Sequence, residues 1–481
     1  MGKTALYLGC FCLYSVVLLI IGKSSLHGVN TPEDYFICRR TVSLPFCAAT
    51  FTGTWVSAIT ILSFTGSVYE QGISALLTSV IPWFLGGFLL GFLVHLVYNS
   101  GAITAPEIFG RLFHSRYLQA AYGAVFIGIY VFYLVTQYKG FGMIASELFE
   151  IPYPVAVLLV GLFILYTTLG GYRSVLRTDM MNLGLLMISL IGICAYFTGR
   201  AGGFGELYRK AAAIQGIAHP GALATGRGQM LRLFSGRSTP AVILTMFWGW
   251  GLGVAANPQY LVRLMSARDE RTARKTLGVS LGLLAVVYFC LVHIGLAMRV
   301  LVPSLPVDVT TDGIFIRLIN HELYSRWSAL FFFAVIGACV STANSQLLII
   351  ASSFSWDIFG ALAKKPIPGK RIVELARCSV IAGGLAAMLL TLNPPASILA
   401  YGGGVWGMIS ILAVPPLYLR AALGKGNARG AAWCLIAGLL SAAVFYPLYA
   451  RGMIQVHPAF PGFLVSTAAL LAGSRERRCV E

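Results

Sequence analysis

Charged side chains are scarce in this sequence. Only 11% of its 481 residues are charged, whereas 57% are hydrophobic, and the mean hydropathy is +0.79. An ordinary water-soluble globule is excluded, because such a chain would expose too much apolar surface to water. The composition therefore predicts an integral membrane protein.

Paired cysteines and catalytic motifs are missing as well. The ten cysteines include no C-x-x-C pair, which argues against a zinc site or a disulfide framework. We find no nucleophile with a matching base, no phosphate-binding loop and no zinc-protease motif. The glycine run at 402–404 lies inside an apolar stretch and is no phosphate cradle. These absences predict a protein that is not an enzyme and uses no organic cofactor.

Acidic residues are fewer than basic ones, 17 against 35, which leaves a formal charge of +18. The basic residues cluster in short segments between apolar runs, so they indicate membrane topology and not a nucleic-acid partner. Every second segment is basic, for example 39–40, 263–275 and 364–371. This pattern predicts a cytoplasmic C-terminus and an external N-terminus. The segment 199–238 is basic yet predicted to be external, since long loops count little in this rule.

Thirteen apolar runs are candidate membrane spans, and together they predict an all-α integral membrane protein with about 13 transmembrane helices. The fifth, tenth and last runs are short for a bilayer. The runs are 4–22, 45–66, 73–98, 118–148, 155–170, 180–197, 240–256, 277–302, 327–354, 379–392, 398–419, 431–449 and 458–472.

Two of these runs contain residues that interrupt helices. The second run has Gly53 among several hydroxyls at 52–60, and the seventh mixes three glycines with a proline at 247–259. Backbone can leave the helical ladder inside a membrane only where it lines protein or a watery cavity. Broken helices five spans apart predict two five-helix halves related by an inverted repeat, as in secondary transporters. Easier helix packing is the alternative reading.

The ninth run carries a stripe of small and hydroxyl side chains. Ala338, Ser341, Thr342 and Ser345 share one helix face, because they are three or four residues apart. Such oxygens are hard ligands for an alkali or alkaline-earth cation. Alternatively, small residues simply let two helices pack closely.

Lys139 is a local anomaly in the fourth run. It lies about 13 Å from the external helix end near Leu148, at ~1.5 Å per residue. An ammonium at that depth costs about 2.5 kcal/mol or more unless it is paired or hydrated. We expect snorkelling, pairing with an acid such as Glu147, or contact with a carboxylate solute beside Gln137.

Five segments carry a resemblance to a known family. They are EDYFICRR at 33–40, TAPEIF at 104–109, GGYRSVLRTD at 170–179, NPQYLVR at 257–263 and ACVSTANSQL at 338–347. In this order and spacing they resemble the sodium/solute symporter family over nearly the whole chain, with the pantothenate and proline branches nearest in likeness.

The resemblance implies a LeuT-type fold, in which a core of two inverted five-helix repeats has one helix before it and two after it. The implied organisation assigns 1–43 to an N-terminal helix and cytoplasmic loop and 44–198 to the first repeat. Residues 199–239 are then an external loop and 240–420 the second repeat. Residues 421–481 form two final helices and a short cytoplasmic tail.

The resemblance also implies a sodium site. Its ligands are the carbonyls of Gly53, Val56 and Ala338 and the hydroxyls of Ser341 and Thr342. Some family members place a second sodium at positions that correspond to Asp179 and Ser345, but here Asn344 stands where a hydroxyl is expected. For Asp179 the alternative role is to cap the start of its helix.

The resemblance implies solute contacts at Trp55, Asn257 and Tyr260, and a hinge or a solute contact at Tyr401. The unusual depth of Lys139, described above, adds Lys139 and Gln137 to the candidate solute contacts. The bulky Trp55 stands where relatives carry smaller side chains, so no relative's substrate can be copied.

We therefore predict a sodium-coupled symporter that imports a small carboxylate or zwitterion by alternating access across a prokaryotic plasma membrane. Its partners would be sodium, the solute and the lipid bilayer. A neutral sugar-like solute, or a proton-coupled or uncoupled carrier on the same fold, are the alternatives.

Overall fold

The computed structural model describes residues 2–25, 31–236, 238–305, 309–325, 327–394 and 397–475. All regular secondary structure in these ranges is helical, apart from isolated β-bridges between Val42 and Ala267 and between Gly216 and Thr225. The end of the predicted cytoplasmic tail, residues 476–481, lies outside the described residues, as do 26–30 in the first predicted loop.

Each of the thirteen predicted runs is a helix. We number them α1 (Lys3–Ser25), α2 (Leu44–Trp55 with Ile59–Leu76), α3 (Val80–Asn99), α4 (Arg116–Phe149), α5 (Tyr153–Thr168), α6 (Tyr172–Arg200), α7 (Pro240–Ser266), α8 (Glu270–Leu301), α9 (Ser328–Gly360), α10 (Gly369–Thr391), α11 (Ile398–Leu423), α12 (Ala428–Ala450) and α13 (Ala459–Gly473).

Judged by length and composition, fewer than thirteen of these helices are complete membrane spans. Within the described residues, ten helices could cross a membrane, or eleven when the bent α2 counts as one span. The helices α5 and α13 have 16 and 15 residues, so they fall short of the roughly 30 Å hydrocarbon core. The all-α membrane fold is thus confirmed, whereas the predicted count of thirteen transmembrane helices is not. Residues 73–76, which were predicted to open the third span, belong to α2.

The predicted break in α2 is present. The helix stops at Trp55, Val56 is extended at φ −78° and ψ 117°, and the second half continues from Ile59 at a bend of 60°. The freed backbone N–H of Ala58 donates to Gln137 Oε1 of α4 at 3.2 Å. A side chain of a neighbouring helix therefore satisfies part of the interrupted backbone inside the membrane.

The predicted break in α7 is present too. Phe247–Gly251 forms wider helical turns, and the helix is interrupted at Asn257. The Asn257 side chain accepts from the backbone N–H of Gln259 at 3.0 Å, and Pro258 occupies the first helical position. Both are ordinary ways to restart a helix, because an N-cap acceptor and a first-turn proline suit the unpaired N–H groups there.

The helix α9 forms the centre of the protein, because its most apolar window is buried along its entire length. The first helix, by contrast, exposes large apolar side chains such as Leu13 and Ile20. Such exposed apolar side chains are expected where a helix faces lipid.

Glycines allow the helices around the break of α2 to approach closely. A Cβ at Gly140 of α4 would overlap the Cβ of Ala58, and one at Gly402 of α11 would overlap Ile59. The interrupted segment is thus enclosed by backbone on two sides, which positions the site described next.

We predict that Gly140→Ala lowers the free energy of unfolding by about 1–3 kcal/mol, because an overpacked core must shift. Gly128→Ala on the same helix is the matched control, since no atom of another part of the described chain lies within 4 Å of an added Cβ there. Its effect should be neutral or slightly stabilising, as alanine is the better helix former. Thermal unfolding of the detergent-purified protein measures both, and equal melting temperatures would contradict the close contact.

Candidate functional site

The hydroxyl of Thr342 faces the interrupted backbone of α2. Its Oγ1 lies 3.5 Å from the carbonyl oxygen of Gly53, 3.3 Å from that of Thr54 and 3.2 Å from that of Val56. These carbonyls point away from the helical ladder because the helix ends there. One hydroxyl of α9 therefore meets three carbonyls of α2 within the buried core.

Ser341 lies beside this cluster. Its hydroxyl donates to Asp179 Oδ1 at 2.5 Å, and a Cβ at Gly53 would lie 3.0 Å from its Oγ. Ala338 is buried one turn earlier on α9. Neutral oxygens that converge in this way are suited to a hard monovalent cation, which they would hold weakly enough to release.

Asp179 joins three helices through one carboxylate. Besides Ser341 of α9, it accepts from Thr50 Oγ1 of α2 at 2.5 Å, and it is fully buried on α6. The helix-cap alternative for Asp179 is wrong, because α6 already begins at Tyr172 after Gly171. Its role is to bridge helices.

The hydroxyl of Ser345, the predicted partner of Asp179 in a second sodium site, forms hydrogen bonds with other groups in this structure. It lies 2.7 Å from Thr54 Oγ1 and accepts from the guanidinium of Arg263. It also donates to the Ser341 carbonyl at 3.0 Å. Asn344 accepts from the hydroxyls of Thr167 and Thr168, and so it ties α5 to α9.

A narrow cavity of about 10 Å³ adjoins the break of α2. Its walls are mostly aromatic and all of its lining residues are buried. They are Trp55, Ser57, Ile59, Thr60, Trp83, Tyr133, Trp250, Tyr288 and Trp406. This volume is room for about one water molecule, so an organic solute fits only after the surrounding helices rearrange.

Of the predicted solute contacts, only Trp55 lines this cavity. Its indole N–H donates to Tyr288 Oη at 3.1 Å, and Tyr260 stacks behind it with ring centroids 5.0 Å apart. Gln137 is used by the backbone of Ala58, as described above. Asn257 accepts from Tyr130 Oη at 2.6 Å, besides capping its own helix.

Tyr401 and Lys139 lie elsewhere. Tyr401 lines an apolar crevice between α4, α11 and α12. Lys139 forms an ion pair with Asp312 at 2.9 Å, so the pairing alternative describes this conformation, although the acid is not Glu147 as suggested. Glu147 instead accepts from Asn320 and contacts His321.

Several site residues were missed by the sequence reasoning. Trp83, Tyr133, Tyr288 and Trp406 are aromatic residues inside apolar runs, where nothing in the local pattern separates a cavity wall from ordinary packing. The Asn-Pro-Gln…Arg segment did contain a signal for Arg263, a charged residue in an otherwise apolar helix.

Comparison with known proteins places these observations in a family. The sequence model of the sodium:solute symporter family matches residues 35–438. The sodium/proline symporter of Escherichia coli (strain K12) is 25% identical over 486 residues, covering 96% of this chain and 92% of the relative. A sodium/proline symporter of Staphylococcus aureus is 24% identical over 473 residues, covering 94% and 89%.

Solved structures show the same fold. A sodium-coupled sialic acid symporter in a substrate-bound outward-open state matches with a TM-score of 0.76 at 19% identity, covering 98% of this chain and 96% of that chain. A nucleobase-cation-symport-1 family transporter in a closed conformation matches with a TM-score of 0.56 at 14% identity, covering 94% of each chain. The LeuT-type fold expected above is thereby confirmed.

We predict that Asp179→Ala lowers the free energy of unfolding more than the removal of a hydroxyl that bonds only within its own helix. Two buried hydroxyls would lose their charged acceptor, and each such bond is worth about 1.5–3 kcal/mol. Thr178→Ala is the control, because the Thr178 hydroxyl donates only to Ser174 and Val175 of its own helix. Melting temperatures without sodium or solute measure both, and similar values for the two variants would refute the bridging role.

Proposed function

Because the chain belongs to the sodium:solute symporter family, we propose that it imports a small proline-like zwitterion or carboxylate across the plasma membrane by alternating access. The observation that carries the proposal is the approach of the Thr342 hydroxyl to the Gly53 and Val56 carbonyls, at 3.5 and 3.2 Å. It supports a cation site between α2 and α9.

Sodium would be held by the carbonyls of Gly53, Val56 and Ala338 and the hydroxyls of Ser341 and Thr342. The Ser341 hydroxyl donates its hydrogen bond to Asp179, so the lone pairs of its oxygen can face the ion. An ion bound by both helices favours the conformation in which the two halves of the ligand set are together. Binding of sodium would thus prepare the adjacent cavity for solute.

The solute carboxylate would be held at the start of the second half of α2. The first N–H groups of a helix have no partner within it and carry the positive end of its dipole. Ser57, Ile59 and Thr60 at this helix start line the cavity, and no Lys or Arg is among its lining residues. Backbone N–H groups would thus bind the carboxylate, as Lys139 would under the solute-contact alternative.

The aromatic walls suit a compact apolar ring and an ammonium group. Aromatic faces attract cations and pack against saturated rings. Trp55, Trp83, Trp250 and Trp406 all contribute to these walls. The names of the curated relatives, sodium/proline symporters, favour a proline-like solute for this chain as well.

The driving force suffices for concentrative uptake. One sodium charge moving inward releases roughly 2.3 kcal/mol per 100 mV, and each tenfold gradient adds about 1.4 kcal/mol. One ion per neutral solute could therefore concentrate the solute a few hundred-fold at about 100 mV and a tenfold gradient. The basic segments support an external N-terminus and a cytoplasmic C-terminus as the accompanying orientation.

We predict that Thr342→Ala raises the sodium concentration for half-maximal uptake about tenfold, which corresponds to about 1.4 kcal/mol of ion binding. The solute concentration for half-maximal uptake should change far less. Thr342→Ser keeps the hydroxyl and is the control that should retain sodium dependence close to wild type. Uptake into proteoliposomes at varied sodium measures both, and unaltered sodium dependence in Thr342→Ala would discard the ligand assignment.

We also predict that unlabelled proline and related cyclic zwitterions compete with sodium-driven uptake of labelled proline, whereas prolinamide and neutral sugars do not. The amide has the same ring but cannot place a carboxylate at the helix start. Competition by prolinamide as strong as by proline would reject the carboxylate assignment. Uptake that ignores sodium would favour a proton-coupled or uncoupled carrier, and competition by sugars alone would favour a sugar-like solute.

A further inference from the structure

A buried ion pair lies beyond the break of α2, on the side of the protein opposite the basic segments 39–40, 263–275 and 364–371. Lys139 Nζ of α4 donates to Asp312 Oδ2 at 2.9 Å, and the two side chains are only 7% and 1% exposed. Asp312 belongs to the short helix Thr311–Arg317, which precedes α9 and which we call the loop helix.

The carboxylate of Asp312 joins four separate segments. Its Oδ1 accepts from Ser63 Oγ at 2.6 Å, in the second half of α2. Its Oδ2 accepts from the backbone N–H of Ile398 at 2.9 Å, at the start of α11, as well as from Lys139. The second half of α2, α4, the loop helix and the start of α11 therefore meet at one side chain.

These segments are closed tightly against one another. A Cβ at Gly66 of α2 would overlap the carbonyl group of Thr311, so the loop helix lies directly on α2. The hydroxyl of Thr311 also donates to Glu70 Oε1 at 2.9 Å. Ser63 lies one turn beyond Thr60 of the cavity wall, so the segments that Asp312 holds together adjoin the cavity on this side.

The physical chemistry of the pair suits a contact that opens and closes. Burying two charges costs a large desolvation energy, so an ion pair of this kind is weak evidence for stability, and a switch is among its best-attested uses. When the segments separate and water enters, both groups are hydrated and little energy is lost. The closed form nevertheless requires both partners, because one buried charge alone would be uncompensated.

We propose that Lys139 and Asp312 are positioning residues that close the outer entrance of the transport pathway, and that the pair breaks each time this entrance opens. The inference rests on the proposed function and orientation. It assigns to Lys139 a part in the transport cycle that does not involve contact with the solute.

The test measures opening directly, by labelling a reporter cysteine from outside. Met143 lies one turn beyond Lys139 on α4, and its side chain is 3.8 Å from a Cβ placed on Gly313 of the loop helix. Met143→Cys is introduced after the ten native cysteines have been replaced, and intact cells are exposed to a membrane-impermeant thiol reagent. Labelling is compared in the parent, D312N, K139Q, K139R and E206Q.

The proposal predicts at least threefold faster labelling in D312N and K139Q. K139R keeps the charge and should label like the parent. E206Q removes only the exposed pairs of Glu206 with Arg209 and Lys210 and should do the same. In uptake assays, D312N should show a lower solute KM and a lower maximal rate, because the entrance is open more often but closes more slowly. A folding defect would instead lower the maximal rate alone.

Unchanged labelling in D312N and K139Q, at parental amounts in the membrane, would overturn the proposal. If neither variant reaches the membrane, S63A provides the same comparison, because it removes one hydrogen bond to Asp312. We expect about twofold faster labelling in S63A, and an unchanged labelling rate would refute the inference. Labelling does not depend on transport. Faster labelling without sodium-driven uptake in the parent would therefore reject the proposed function and leave the gate intact.

Discussion

The interruption of α2 is the constraint on which the rest of the structure depends. Inside a membrane an unpaired backbone group costs several kcal/mol, so a helix stops there only if neighbours satisfy its free groups. Here the carbonyls of Gly53 and Val56 face the Thr342 hydroxyl, and the N–H of Ala58 is taken by Gln137. The neighbouring helices α4 and α9 thus supply the polar partners that the break requires, and the cavity lies beside it.

Polar contacts around the break form a network that connects the candidate sodium site to α6 and α7. Asp179 links α6 to Thr50 and Ser341, while Arg263 of α7 reaches Ser345 of α9. Such networks favour discrete arrangements over gradual deformation, because a partly satisfied buried network is costly. A cation that joins or leaves this network therefore changes the balance between arrangements of whole helices.

Sequence reasoning identified features that are local and chemical. The breaks at Gly53 and Asn257 and the hydroxyls at 341 and 342 could be recognised because a glycine, a proline or a hydroxyl stripe is unusual in an apolar helix. The partner of Lys139 could not, because Asp312 is 173 positions away and its loop helix carries no membrane-span signal. The aromatic walls were equally hidden, since Trp83 and Tyr288 look like any buried aromatic until three helices are brought together.

The second half of α2 connects the ion candidate to the outer entrance mechanically. The second half of α2 begins at Ile59, three residues after Val56 at the break, and Ser63, which donates to Asp312, lies four residues further on, about 6 Å along a helix. A helix segment this short moves nearly as a rigid body, so a displacement at its start must appear at Ser63. Sodium at the proposed site would bind next to the start of this segment, and the proposed entrance pair contacts it at Ser63. We expect coupling between the two sites to pass through this segment.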